Sequence, residues 1–139
     1  MKRPSVAMLH YAAPPVVGGV EAVILAHAQI FVQAGYPVTV VAGQGEAGAL
    51  PEGVELALVP EIDSLHAEIA RMSAELAQGQ VPPGFEAMSA RLHNALAPML
   101  SPFDNLMVHN VFTKHFNLPL TAALDRTLDG EKAPHCIAW

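Results

Sequence analysis

The sequence predicts an α/β fold: a Rossmann-like, doubly wound and mainly parallel sheet in a three-layer α/β/α arrangement. Three observations carry that expectation. Short apolar runs alternate along the chain with stretches whose apolar residues recur at helical spacing. A diglycine, Gly18-Gly19, stands between the first run and the first helical stretch. Polar pairs follow several of the runs, at the carboxyl ends of strands where sheets of this class bind ligands.

The elements follow in order. Ser5 to Tyr11 is apolar enough for a strand buried on both faces. Val20, Val23, Ile24, His27, Ala28 and Phe31 mark one face of a first helix, with Gly35 as its stop and Pro37 barring continuation. Pro37 to Ala42 is a second strand, and the glycine-rich stretch from Gly43 to Gly53 is a surface loop. Val54 to Val59 is a third strand. Ile62, Leu65, Ile69, Met72 and Leu76 form one amphipathic stripe, and Phe85, Met88, Leu92, Leu96 and Met99 form another that ends near Pro98 or soon after. Val81-Pro-Pro-Gly84 separates them, and both are expected on one side of the sheet. Asp104 to His109 is a fourth strand. A further helix begins between Thr113 and Asn117, with Pro119 in its first turn and Leu120, Ala123, Leu124 and Leu128 on its buried face. Pro134 to Trp139 is a fifth strand. The alternation implies right-handed crossovers and one domain, residues 1–139. A strand at the last residue suggests a piece of a longer protein whose remainder extends the sheet.

Composition narrows the functional classes. The chain has 139 residues, long enough for a real core, and 52% are hydrophobic. Mean hydropathy is +0.32. That excess implies either a largely buried sheet or an apolar surface covered by a partner. Apolar runs are too short to span a bilayer, so no transmembrane segment is expected. The N-terminus does not read as a signal peptide. Net charge is −6 with only seven Lys and Arg, so no basic stripe exists for nucleic acid. Cys136 stands alone, which excludes an internal disulfide and fits a reducing, cytoplasmic setting; peripheral membrane association is compatible with it.

Two places attract chemistry. Gly18-Gly19 is either a tight turn that lets the first helix pack closely or an anion-facing turn whose amides approach a phosphate. Neither GxGxxG nor GxxxxGK[ST] is present, so the common dinucleotide and triphosphate cradles are absent. Glu21 falls in the first helical turn, where it caps the helix or acts directly. His109-Asn110 either hydrogen-bonds hydroxyl groups or caps the next helix. His10 ends the first strand and is expected to line the same cleft. His27 reads as a satisfied core or interface histidine, and His66 and His93 as exposed. His135 has no evident role. No metal spacing, nucleophile elbow or complete catalytic set is visible, so no catalytic residue is assigned.

The residues Pro14-Pro-Val-Val-Gly-Gly-Val-Glu21 after the first strand carry a family resemblance. It continues through the helix from Ala22 to Ala34 and through Gly35-Tyr-Pro-Val-Thr-Val-Val41, similar to a "G-H-x-V-x-V-V" pattern with Tyr36 and Pro37 substituted. Asp104 to Asn110 and His135 to Trp139 extend it. The chain resembles the N-terminal, acceptor-side domain of family 4 glycosyltransferases, retaining enzymes of the GT-B fold. The resemblance implies transfer of a sugar from a nucleotide diphosphate sugar to an acceptor hydroxyl, without a bound metal or other cofactor. It places the donor diphosphate at Gly19, with Gly18 shaping the loop. It turns His10, His109 and Asn110 towards the acceptor. It further implies a second Rossmann-like domain beyond Trp139 that supplies most donor contacts, so the chain alone is expected to be inactive. Two other classes stay open: a non-enzymatic module binding a nucleotide or small anion, and an interaction domain whose apolar excess meets a partner.

Overall fold

Apolar runs such as those of the central strands belong between two covering layers. A computed structural model describes residues 1–139. Its strands are β1 (Val6–Leu9), β2 (Val38–Ala42), β3 (Val54–Leu58), β4 (Asn105–Val108) and β5 (His135–Ala138). Its helices are α1 (Gly19–Gln33), α2 (Ala67–Ala77), α3 (Phe85–Leu100) and α4 (Leu118–Leu128). The strands form one sheet in the order β3-β2-β1-β4-β5, with every neighbouring pair parallel. All residues of β1 and β2 are buried, whereas β3 and β5, at the edges, are only partly covered. The Rossmann-like α/β/α architecture is the one expected.

The period of two along each strand divides the interior. Ala7, Leu9, Val41, Leu106 and Val108 point to the face covered by α2, α3 and α4. Val6, Met8, Val40 and Met107 point to the opposite face, where Ile24 and Ala28 of α1 meet them. Three helices cover one face and one covers the other. The β5 edge of the α1 face is the least covered part, and Ile137 and Trp139 are exposed there.

Helix ends follow local chemistry. Gly35, at φ +82°, closes α1, and the Tyr36 amide donates back to the Phe31 carbonyl, a C-terminal arrangement that glycine makes possible. The helix expected to include Ile62 and Leu65 instead starts at Ala67. Pro60–Ile62 forms a short 3₁₀ turn, and the Asp63 carboxylate accepts the Leu65 amide at 2.9 Å. That side-chain turn competes with helix formation. Ile62 remains buried, but Leu65 projects into solvent.

Asn117 ties α4 to the α2 side. It is fully buried as the N-cap of α4, and its Oδ1 accepts the Leu120 amide at 3.1 Å. Its Nδ2 donates to the Glu61 and Ile62 carbonyls at 2.9 and 3.1 Å. Asn117→Ala removes the cap and orphans both carbonyls, an expected loss of about 2 kcal/mol in urea unfolding. Asn117→Asp keeps the cap but cannot donate. If the aspartate variant matches the wild type, the carbonyl bonds contribute nothing.

Candidate functional site

The parallel sheet points the carboxyl ends of β1, β2 and β4 to one edge, and a cleft of about 290 Å³ lies there. His10, Glu21, Gln44, Asp63, Asn110 and Lys114 supply its polar lining. The loops are pinned together beneath it. The Gly43 amide donates to the Tyr11 carbonyl at 3.0 Å, and the Ala13 amide to the Gln44 carbonyl at 2.8 Å. The Gln44 amide group donates to Asp63 at 2.9 Å.

His10 is the best-positioned side chain. It continues β1, its amide donating to the Val41 carbonyl at 3.2 Å. Its Nδ1 lies 3.1 Å from the His109 carbonyl, an acceptor, which assigns the proton to Nδ1. In the neutral ring Nε2 is then an acceptor, 3.6 Å from a Glu21 carboxylate oxygen. Burial pulls the His10 pKa below its ordinary value, against the opposing pull of the His109 carbonyl and the Glu21 carboxylate. A neutral imidazole oriented by a backbone carbonyl can accept a hydrogen bond from a hydroxyl placed in the cleft.

Strand periodicity separates the neighbours of His10 into two groups. His109 follows Met107 on the α1 face, and its imidazole is buried against His27 and Trp139, with ring centroids 6.4 and 6.2 Å away. Both His109 ring nitrogens lack a hydrogen-bond partner. Burial, with the nearby His10 and His27, pushes its pKa down to about 4. His109 thus does not line the cleft; it contributes the carbonyl that orients His10. Tyr11 turns to the opposite face, near Phe116, and burial pushes its pKa up to about 12. Its hydroxyl is also unpartnered.

Asn110 lines the cleft in a left-handed conformation, φ 62°, which asparagine tolerates better than most residues. Its carbonyl accepts the Thr113 and Lys114 amides at 3.1 and 3.0 Å, turning the chain back across the cleft. The sequence-based pairing of His109 with Asn110 therefore divides: Asn110 lines the cleft, whereas His109 only orients His10 through its carbonyl.

At the diglycine, Gly18 is extended at φ −173°, so its role is not left-handed geometry. The Glu21 carboxylate fills the space that a Gly18 Cβ would need. Gly19 differs: nothing lies within 4 Å of where its Cβ would be. The first turn of α1, exposed at both glycines, is open to approach, and Val20 and Glu21 continue from it into the cleft. No side-chain hydrogen bond caps the first turn of α1. Glu21 sits in that turn, faces His10 and packs over Gly18.

Three histidines depart from the sequence-based expectation. His27 is half-buried against Trp139, with ring centroids 5.0 Å apart, but its Nδ1 has no partner, so it is not satisfied. His93 is half-buried, its Nδ1 bonded to Thr127 Oγ1 at 2.9 Å, because α3 and α4 close over it. His66 is half-buried at the start of α2.

Gln44, Asp63, Lys114 and Phe116 were not singled out by sequence. Asp63 carried a usable signal, an Asp-Ser pair between an apolar residue and a helical stripe. Lys114 and Phe116 sit in a loop with no periodicity to place them. No group of three or more His, Cys, Asp or Glu side chains is arranged to hold a metal ion. No helix is long and apolar enough to cross a membrane. Comparison with models of protein families, with curated proteins and with solved structures returned no match.

Proposed function

We propose that this chain is the acceptor-side domain of a retaining GT-B glycosyltransferase, acting together with a second domain that holds most of the nucleotide sugar. One observation carries the reading. A cleft lined by His10, Glu21 and Asn110 opens beside the unobstructed first turn of α1, at the carboxyl edge of a 3-2-1-4-5 parallel sheet.

The two halves divide the chemistry. Sugar transfer breaks the bond between the anomeric carbon and the diphosphate, so negative charge grows on the departing phosphate. Amides of the α1 first turn, approached across Gly19, would stabilise that charge without reorganising. His10 Nε2 would orient the acceptor hydroxyl by accepting its hydrogen bond. Glu21 keeps the cleft unfavourable for a second phosphate, reserving it for uncharged hydroxyls. No proton transfer is assigned to His10.

The test is nucleotide binding. UDP or GDP is expected to bind saturably, and Gly19→Val to weaken that binding about tenfold or more by blocking close approach. The variant is expected to fold, since space is open at Gly19 and its φ is not left-handed. Calorimetry that detects neither nucleotide, or equal affinity in the variant, counts against the reading. Turnover of a nucleotide sugar by the chain alone would remove the need for a second domain.

A further inference from the structure

We infer that the acceptor is an amphiphile, with an uncharged hydroxylated head in the His10 cleft and an apolar tail along α2. This rests on the cleft being the acceptor side. A second space of about 530 Å³ lies along α2 and shares Ser64, Leu65 and Phe116 with the cleft's lining. The two adjoin across these residues, the cleft with the more polar lining and the second space with a largely apolar one.

The apolar end is built outward. Leu65 is 78% exposed and Phe116 45% exposed. Both are held by polar contacts to their backbones: the Leu65 amide donates to Asp63, and the Phe116 carbonyl accepts Ser73 Oγ at 3.2 Å. Ala70, Ala74 and Ala77 line the α2 wall, where their short side chains leave room for a chain lying against the helix. A single exposed leucine is ordinary, but an apolar wall opening into a polar cleft is a place where a tail loses its water.

A second observation lies in the cleft next to this groove. Tyr11 lines the cleft, is 6% exposed, and has its ring 6.2 Å from that of Phe116. Its buried hydroxyl has no partner, an unfavourable state next to the groove. The charge pattern selects the head. Glu21 and Asp63 oppose one ammonium, Lys114, so an anionic headgroup is disfavoured and a polyol fits.

Octyl β-D-glucopyranoside, kept below its micelle concentration, is the probe. In amide-resolved NMR titrations it is expected to bind saturably and shift both His10, Glu21 and Asn110 and Leu65, Ala74 and Phe116. Glucose alone is expected to shift only the first set, more weakly. Ala74→Glu, at an exposed helical position that tolerates glutamate, is expected to weaken octyl glucoside binding about tenfold while leaving the glucose response and thermal unfolding unchanged. Shifts that appear only with micelles, shifts confined to one set, or an affinity unchanged by Ala74→Glu overturn the inference. Nucleotide binding is scored separately. Octyl glucoside bound in this way without UDP or GDP would leave an amphiphile-binding site but overturn its assignment as an acceptor site along with the transferase reading; the reverse would sink the inference alone.

Discussion

Gly43→Ala is expected to destabilise the fold by about 3 kcal/mol in urea unfolding, among the largest effects of any single methyl addition to this chain. A Cβ at Gly43 would lie 2.6 Å from the Asp63 Cα and closer still to its amide nitrogen. Those atoms are backbone, so relief requires moving a whole segment. The segments resist. The Gly43 amide is bonded to the Tyr11 carbonyl and the Val59 amide to the Ala42 carbonyl, both at 3.0 Å. The same substitution is expected to abolish ligand responses in the cleft, because Gln44 and Asp63 line it. Gly48→Ala is the control: nothing lies within 4 Å of its Cβ position, and its stability is expected to stay within about 0.5 kcal/mol of wild type. A Gly43→Ala loss below about 1 kcal/mol would show that the exit of β2 yields readily.

The second large effect is on acid stability. Folded His109, with a pKa near 4, holds its proton less firmly than an unfolded histidine near 6.5. Between those values the unfolded chain binds more protons, so stability falls as pH falls. The contribution is fully present above pH 6.5 and is lost by about pH 4, a change on the order of 3 kcal/mol. His10, whose pKa burial also lowers, adds in the same direction. His109→Leu removes the two unpartnered ring nitrogens along with the titration. It is expected to be neutral or stabilising by about 1 kcal/mol at pH 7, and to flatten the slope between pH 6.5 and 4. An unchanged acid slope in that variant would assign the effect to other groups.

Much of the fold was legible because its signals are local. Gly35 stopped α1, Pro119 sat in the first turn of α4, and the uncharged runs of β1 and β2 were buried. The α2 boundary was not legible, because the Asp63 side-chain turn offered its backbone an alternative that apolar spacing does not register. His93 was misplaced for a related reason. It lies off its helix's apolar stripe, yet Thr127 of α4 closes over it.

The candidate site was half legible. His10 and Asn110 stand at strand ends, where the fold class directs attention, and both line the cleft. The burial of His109 was implicit in strand alternation: it shares a face with Met107 and, across the sheet, with Met8 and His10. Its missing partners were not, since hydrogen-bond satisfaction depends on side chains from α1 and the end of β5.

By itself, then, the sequence determined the order of strands and helices, the parallel layering and which strand residues share a face. Those properties arise from neighbouring residues, through periodicity, β-branching and turn chemistry. Tertiary structure alone decided what meets at the edge of the sheet. The bond between His10 and His109 joins residues 99 apart in the chain, and Gln44 reaches Asp63 across 19. Burial, pKa and an open path beside Gly19 are properties of such convergences, and only the folded chain sets them.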